Sequence, residues 1–252
     1  MSLPQNYKTA GSRREFLASW LGAAVFWKPR NRRKLAGVDF ERIRAGAGSR
    51  RYLLIHGNEE TARQVLTEHM KKASGTAWLA AGHARNAPFL AGELDPNRMF
   101  SREGAERNLR ALNPAWSEAH LLNGLLILDR TRRQLTSALR PGAGDVLIAV
   151  HNNRDYSVND ELAASNATAL NDRDNPHEFC LCTDEGDFQL LSKGPYNVVL
   201  QNRPGGAEDG SMSRYAVRAG FRYANLEVAM GKAEKQRAML EWLDRTLPAP
   251  RR

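Results

Sequence analysis

Cysteine is scarce in this 252-residue chain: there are two, Cys180 and Cys182, one residue apart. On a strand such a pair points to one face, and so close a spacing seldom closes a structural disulfide. No second pair exists to complete a thiolate metal site, so both are expected to be buried in a strand. No apolar run reaches the length of a membrane span. Also missing are the Gly-x-Ser-x-Gly turn of serine hydrolases, the Walker phosphate loop and the Gly-x-Gly-x-x-Gly dinucleotide turn, which removes the commonest enzyme classes. There is no repeat of solenoid period and no low-complexity tract.

What the chain has in excess is positive charge, +9 overall, and it is unevenly placed. Residues 1–51 hold 12 Lys/Arg against 3 Asp/Glu, leaving 25 of each sign for residues 52–252. The main body is therefore neutral, and no nucleic-acid partner is expected. Residues 1–37 read as a basic arm, 38–247 as one domain and 248–252 as a tail. Within the arm, Ser12-Arg13-Arg14-Glu15-Phe16-Leu17 ahead of the modestly apolar run Ala18 to Trp27 resembles a twin-arginine signal. That implies contact with export machinery and a periplasmic destination. The alternative is a cytoplasmic protein whose arm forms a helix with basic ends, since Lys28 to Lys34 follow the apolar run directly.

From Val38 onward, strand and helix patterns alternate. Strands are expected at 51–55, 77–81, 145–150, 179–183, 197–201 and 222–228; helices at about 59–73, 103–111, 117–138, 213–219 and 232–243. This alternation predicts a single α/β domain with a mostly parallel, mixed central sheet flanked by helices.

Two of the buried strands deliver a histidine at the C-terminal end: Leu53-Leu54-Ile55 runs into His56, and Val146 to Val150 into His151. In a parallel sheet both lie at the edge where open α/β folds bind ligands. Glu59 follows His56 by three residues, so imidazole and carboxylate can converge, as half of a zinc site requires. The competing reading has His56 bonded to a backbone carbonyl and Glu59 as an ordinary first-turn helix carboxylate. A late strand, Tyr223 to Val228, carries Glu227 in apolar surroundings, where a carboxylate is costly unless paired or used as a base.

Four motifs in order, His56-Gly57-Asn58-Glu59, Leu94-Asp95-Pro96-Asn97-Arg98-Met99-Phe100, His151-Asn152-Asn153 and Asn225-Leu226-Glu227-Val228, resemble those of zinc carboxypeptidase-like hydrolases. The likeness is nearest to the succinylglutamate desuccinylase and aspartoacylase branch and covers roughly residues 51–230. It implies one Zn²⁺ per chain held by His56, Glu59 and His151. It further implies that Asn97 and Arg98 hold a substrate carboxylate, that Arg98 polarises the scissile carbonyl, and that Glu227 takes a proton from zinc-activated water. The implied activity is hydrolysis of an amide or peptide bond near a free carboxylate, in a small peptide or an N-acyl amino acid. The alternative is a non-catalytic metal- or ligand-binding protein on the same fold.

The chain departs from the family pattern at Pro96, which interrupts the usual loop, and at Glu60, which competes with Glu59 as second ligand. After Glu227 a single helix is expected, without a counterpart of the desuccinylase branch's extra C-terminal domain. Arg154 and Tyr156, close behind His151, are further candidates for substrate binding. The glycine-rich stretch Pro204 to Ser211 is expected to be a surface loop. His69, His83 and His120 carry no expected role, and His177 could support the site from behind.

Overall fold

The computed structural model describes residues 31–248. In chain order the elements are β1 (Asn31–Leu35), β2 (Val38–Ala45), β3 (Arg51–Leu54), α1 (Glu60–His69), β4 (Gly75–Ala80), β5 (Ala87–Phe89), β6 (Gly92–Leu94), α2 (Arg102–Leu112) and α3 (Glu118–Leu139). There follow β7 (Val146–Asn153), α4 (Val158–Glu161), β8 (Ala167–Ala169), β9 (Phe179–Cys182), α5 (Glu185–Leu191), β10 (Asn197–Leu200), α6 (Met212–Ala219), β11 (Arg222–Ala229) and α7 (Ala233–Thr246).

Helix starts follow from capping side chains. Ser101, Ser117, Asp184 and Ser211 accept hydrogen bonds from the first-turn amides of α2, α3, α5 and α6, each worth about 1 kcal/mol. The strands at the centre are apolar on both faces, as strands covered on both sides must be: all eight residues of β7 are buried. Alternate residues serve different cores. Leu53, Trp78, Leu147, Ala149 and Tyr223 pack with Leu109 of α2, Leu125 and Leu128 of α3 and Met212 of α6. Leu54, Leu79, Ile148, Val150 and Leu226 pack with Val65 of α1 and Leu240 and Leu243 of α7. Each Val, Leu, Ile or Met among them contributes about 1.5–3 kcal/mol by leaving water.

The nine-stranded sheet has the order β1-β2-β4-β3-β7-β11-β9-β10-β8. The four central strands β4, β3, β7 and β11 are parallel, while β2 pairs antiparallel to β4 and β9 antiparallel to β11. The α/β architecture with a mixed sheet, parallel at its centre, is therefore the one expected. After β3 the chain goes to β4 on one side, then returns across β3 to β7 on the other. The crevice at the C-terminal ends of β3 and β7 is thus a topological switch point, and His56 and His151 sit there.

The domain begins earlier than position 38. Residues 31–35 form β1, paired antiparallel with β2 from Asn31↔Arg42 to Leu35↔Val38. The cause is the turn at Ala36 and Gly37, both at positive φ, which folds the last part of the supposed arm back as a hairpin. At the other end Leu247 is buried and the Pro248 carbonyl accepts from Arg222 Nη1 at 3.0 Å, so the packed chain reaches 248. The short pair β5/β6, the strand β8 and the seven-residue helix α5 were not anticipated, being too brief to show a period. The twin-arginine-like stretch and positions 249–252 lie outside the described residues. Among the described residues no helix is long and apolar enough to cross a membrane.

Candidate metal centre

His56 lies just past β3, and Gly57 makes that placement possible. A Cβ on Gly57 would stand 2.8 Å from the Ala84 carbonyl and 2.9 Å from the Gly82 backbone, so only glycine allows the two loops to approach. Glu59 immediately precedes α1 and is 2% exposed, whereas Glu60 faces solvent on the first turn. The ambiguity between the two carboxylates is resolved by this burial. His151 falls within β7 rather than after it, because the ladder with β11 continues through Asn153↔Ala229.

Three side chains meet at one point. Glu59 Oε1 lies 2.9 Å from His56 Nδ1 and 3.2 Å from His151 Nδ1, and the two imidazole centroids are 5.3 Å apart. Behind His56, its Nε2 donates to Asp95 Oδ1 at 3.0 Å. Burial opposes ionisation of Asp95, but His56, Arg85 Nη2 at 3.3 Å and the Asn97 amide at 2.8 Å hold its pKa well below the usual carboxylate range. The ionised Asp95 can only accept, which assigns a proton to His56 Nε2 and turns Nδ1 inward. At Glu59 burial also works upward, and the His151 and His56 imidazoles outweigh it, bringing the pKa down to about 2. Burial pushes His151 down, but the Glu59 charge prevails and raises it.

The donor set suits a metal ion. His56, Glu59 and His151 offer atoms that all lie within 4.8 Å of one another. Glu59 Oε2 is buried and accepts no hydrogen bond, and Oε1 faces two imidazole nitrogens, each of which needs a proton or a shared cation to be held there. Two nitrogens and a carboxylate are the ligands of a three-residue zinc site with an open fourth position.

Glu227 is the register partner of His151 across β11 and β7, so the ladder itself sets its carboxylate beside the histidine. It is 6% exposed and accepts from Asn225 Nδ2 at 3.1 Å and Asn153 Nδ2 at 3.3 Å. Burial pushes its pKa up; the His151 charge opposes this and the Glu59 charge adds to it. Asn153 is fixed in turn by donating to the His177 carbonyl at 2.9 Å. His177 therefore supports Glu227 through its backbone, while its ring Nδ1 bonds the Tyr156 carbonyl at 2.7 Å.

Asp95 and Pro96 start a single 3-10 turn, Pro96–Arg98, with Asp95 as its cap. Proline suits that first position, so Pro96 builds the loop that it was expected to interrupt. Asn97 Oδ1 accepts from the Met212 amide at 3.0 Å, and Arg98 Nη1 bonds the Asn97 carbonyl at 3.0 Å with Asp209 at 3.9 Å. The stretch around Asp209 and Gly210 is thus packed on the Asn97-Arg98 pair. Gly210 has φ +79, and a Cβ there would lie 2.3 Å from the Arg98 carbonyl.

All eight sequence-selected residues, His56, Glu59, Asn97, Arg98, His151, Arg154, Tyr156 and Glu227, line one cavity of about 560 Å³. Arg154 is exposed at its wall, and the Tyr156 hydroxyl donates to Glu161 while its ring packs on Phe179 at 5.5 Å. Residues not selected as site residues also line it: Arg85, Arg214, Gln201, Tyr223 and Asn225. Asp95, behind His56, was likewise left without a role. Its signal was present, since it opens the Asp-Pro-Asn-Arg loop, but nothing local shows that this loop returns to His56.

No family model matches the chain, and no curated protein matches it. Among solved structures it is similar to a candidate metallopeptidase from Shewanella baltica, at 15% identity and TM-score 0.43 over 86% of each chain. It is also similar to a succinylglutamate desuccinylase/aspartoacylase from Rhodobacter sphaeroides, at 11% identity and TM-score 0.42 over 85% of this chain and 60% of that one. A succinylglutamate desuccinylase from a Silicibacter species matches at 16% identity and TM-score 0.46, over 83% of this chain and 59% of the other. The chain thus spans about three fifths of the two desuccinylase-type structures. At these identities and scores the likenesses transfer neither activity nor substrate; their names are those of the group that the four motifs resemble.

Proposed function

We propose that the protein is a zinc-dependent hydrolase that cleaves an amide or peptide bond beside a free carboxylate. The observation that carries this reading is the convergence of His56, His151 and Glu59 in a cavity that also holds a buried, hydrogen-bonded Glu227. His56, Glu59 and His151 would hold a zinc ion, which would supply Lewis acidity and activate a water for attack.

The chain's own side chains account for the rest. Glu227, destabilised as an anion by burial, takes a proton and passes it to the departing amine. Arg98, on a turn fixed by Asp95 and Gly210, offers a planar guanidinium for two hydrogen bonds to a substrate carboxylate. Asn97 sets the position of that turn through its bond to the Met212 amide, and Arg154 and Tyr156, which line the same cavity, bound the substrate. Both N-acyl amino acids and small peptides fit this chemistry; were residues 1–37 to direct export, cell-wall peptides would become the natural class.

The test is zinc content per chain, measured for the wild type, His56→Ala and His151→Ala, together with hydrolysis of N-acyl amino acids and peptides. About one zinc per chain is expected in the wild type and none in either variant. Glu227→Gln is expected to keep its zinc and lose about 10²–10⁴-fold in turnover. Absence of zinc from zinc-replete wild-type protein would defeat the mechanism. Zinc binding without turnover on any substrate of these classes would leave a binding protein.

A further inference from the structure

The positive charge concentrated in residues 1–51 takes no part in the metal centre, and the fold gathers a share of it elsewhere. At the opposite end of the sheet, where β3 and β4 begin, lies a groove of about 960 Å³. Its floor is the sheet face turned towards α3, and Gln134, Ser137 and Ala138 of α3 form one wall. Six cations line it: Arg32, Arg33 and Lys34 of β1, Arg42 and Arg44 of β2, and Arg51 of β3. Among the described residues no Asp or Glu lines it.

The strand ladders order these charges. Thr76 of β4 is the register partner of both Arg44 and Arg51, so a hydroxyl is flanked by two guanidinium-bearing residues on one face. One step along, Arg42 stands opposite Trp78, with its guanidinium 5.8 Å from the ring centroid. Arg51 Nη1 bonds the Ser49 and Arg50 carbonyls at 2.9 and 3.3 Å, leaving its Nε buried without a partner. Among the described residues Arg33, Lys34 and Arg44 have no anionic partner, and Arg32 has Glu41 at 3.6 Å. Burial and then the Arg44 charge push the Arg51 pKa down, against the pull of Asp145, as happens where cations lack counter-charge. Residues 1–30 themselves hold five Lys/Arg against one Glu.

A concave surface lined by one sign of charge focuses its field and draws counter-ions. Arginine forks with an adjacent hydroxyl suit the tetrahedral oxyanion of a phosphate, and the cavity has room for several in a row. We propose that this groove binds a ligand bearing a row of phosphate groups, either an oligophosphate or a phosphodiester chain, with Arg44, Thr76 and Arg51 as the central contact.

The experiment titrates the full-length chain with tripolyphosphate by calorimetry and with a labelled oligothymidylate by anisotropy, at several salt concentrations. It is repeated on Arg44→Gln/Arg51→Gln, and on Arg33→Gln/Arg44→Gln, which spares the backbone contacts of Arg51. Saturable binding is expected that weakens on the order of tenfold in each double variant. For the oligothymidylate the slope of log affinity against log salt should also fall by about 1.4. Tripolyphosphate alone binding identifies the small oligophosphate, and a stronger oligothymidylate identifies the phosphodiester chain. Binding of neither, or equal binding by wild type and both variants, would overturn the proposal. So would capture on phosphatidylglycerol vesicles without binding of either soluble anion, which would make the groove a membrane contact.

Discussion

Asp95 illustrates how one carboxylate can fix the orientation of a candidate metal ligand, His56, from behind. Its Oδ1 accepts both from His56 Nε2 and from the Asn97 amide, so the same atom orients the candidate ligand and closes the turn that carries Arg98. Asp95→Asn removes the charge that holds the imidazole proton on Nε2. We expect zinc affinity to fall about 10–100-fold with the fold retained, read by competition with a chromogenic chelator. Unchanged affinity would mean that the Asp95 contact serves the turn alone. His56, Glu59 and His151 were legible because strand ends and spacing are local properties of the chain. Asp95 and Asn153 were not read as site residues: their work depends on contacts to residues 39 and 74 positions away.

Among the elements, the loop before α6 does more than connect. The Phe100 amide donates to the Gly210 carbonyl at 3.0 Å, and a Cβ on Gly104 would lie 2.3 Å from Gly210 Cα, so α2, the Asn97-Arg98 turn and this loop interlock. Gly210→Ala meets both a positive φ and the Arg98 carbonyl. It is expected to cost about 1–3 kcal/mol in a denaturant titration and to raise KM for a carboxylate-bearing substrate more than it lowers kcat. An unaltered KM would detach the loop from substrate binding. From sequence the stretch reads as an ordinary surface loop, because glycine content reports freedom and not the close approach that uses it.

A second element-level joint lies at the start of β3. Arg50 Nε bonds Asp145 at 3.1 Å, Nη1 bonds Asp244 at 2.6 Å and Nη2 bonds the Leu247 carbonyl at 2.6 Å, tying β3 to the start of β7 and to α7. Arg50→Met takes the guanidinium from two carboxylates, one of them 3% exposed, and leaves Asp145 to Ser49 and Asp244 to Tyr52 and His69. A loss of about 3–5 kcal/mol is expected by chemical denaturation, and a loss below 1 kcal/mol would show that water replaces the guanidinium.

For the molecule as a whole, Asp244 makes stability depend on acid. Burial works to raise its pKa, but His69 at 2.6 Å and Arg50 at 2.6 Å outweigh this and lower it. A carboxylate with a depressed folded pKa gives stability that is fully present above its unfolded pKa near 4 and is lost as pH falls through the folded value. Glu227 has the reverse sign: its raised pKa is an expense at neutral pH that protonation relieves. In thermal melts of the metal-free protein, Asp244→Asn should be less stable than wild type at pH 7 and show a shallower decline of Tm from pH 5 to pH 3. Parallel declines would assign the acid sensitivity to other carboxylates.

The sequence by itself determined the alternation of buried strands and amphipathic helices, the two histidines at strand ends and the concentration of charge in the first 51 residues. Each is a matter of local period or composition. Only the tertiary structure decided that residues 31–35 join the sheet, since an exposed basic strand has no apolar alternation and is held by a hairpin turn and its ladder. It alone decided that Glu59 and not Glu60 faces the histidines, because Glu59 stands just ahead of α1 with its carboxylate buried, whereas Glu60 opens the helix in solvent. It also decided where the charge goes: β4, pairing with both β2 and β3, sets Arg42, Arg44 and Arg51 on one face, at the end of the sheet away from the metal centre.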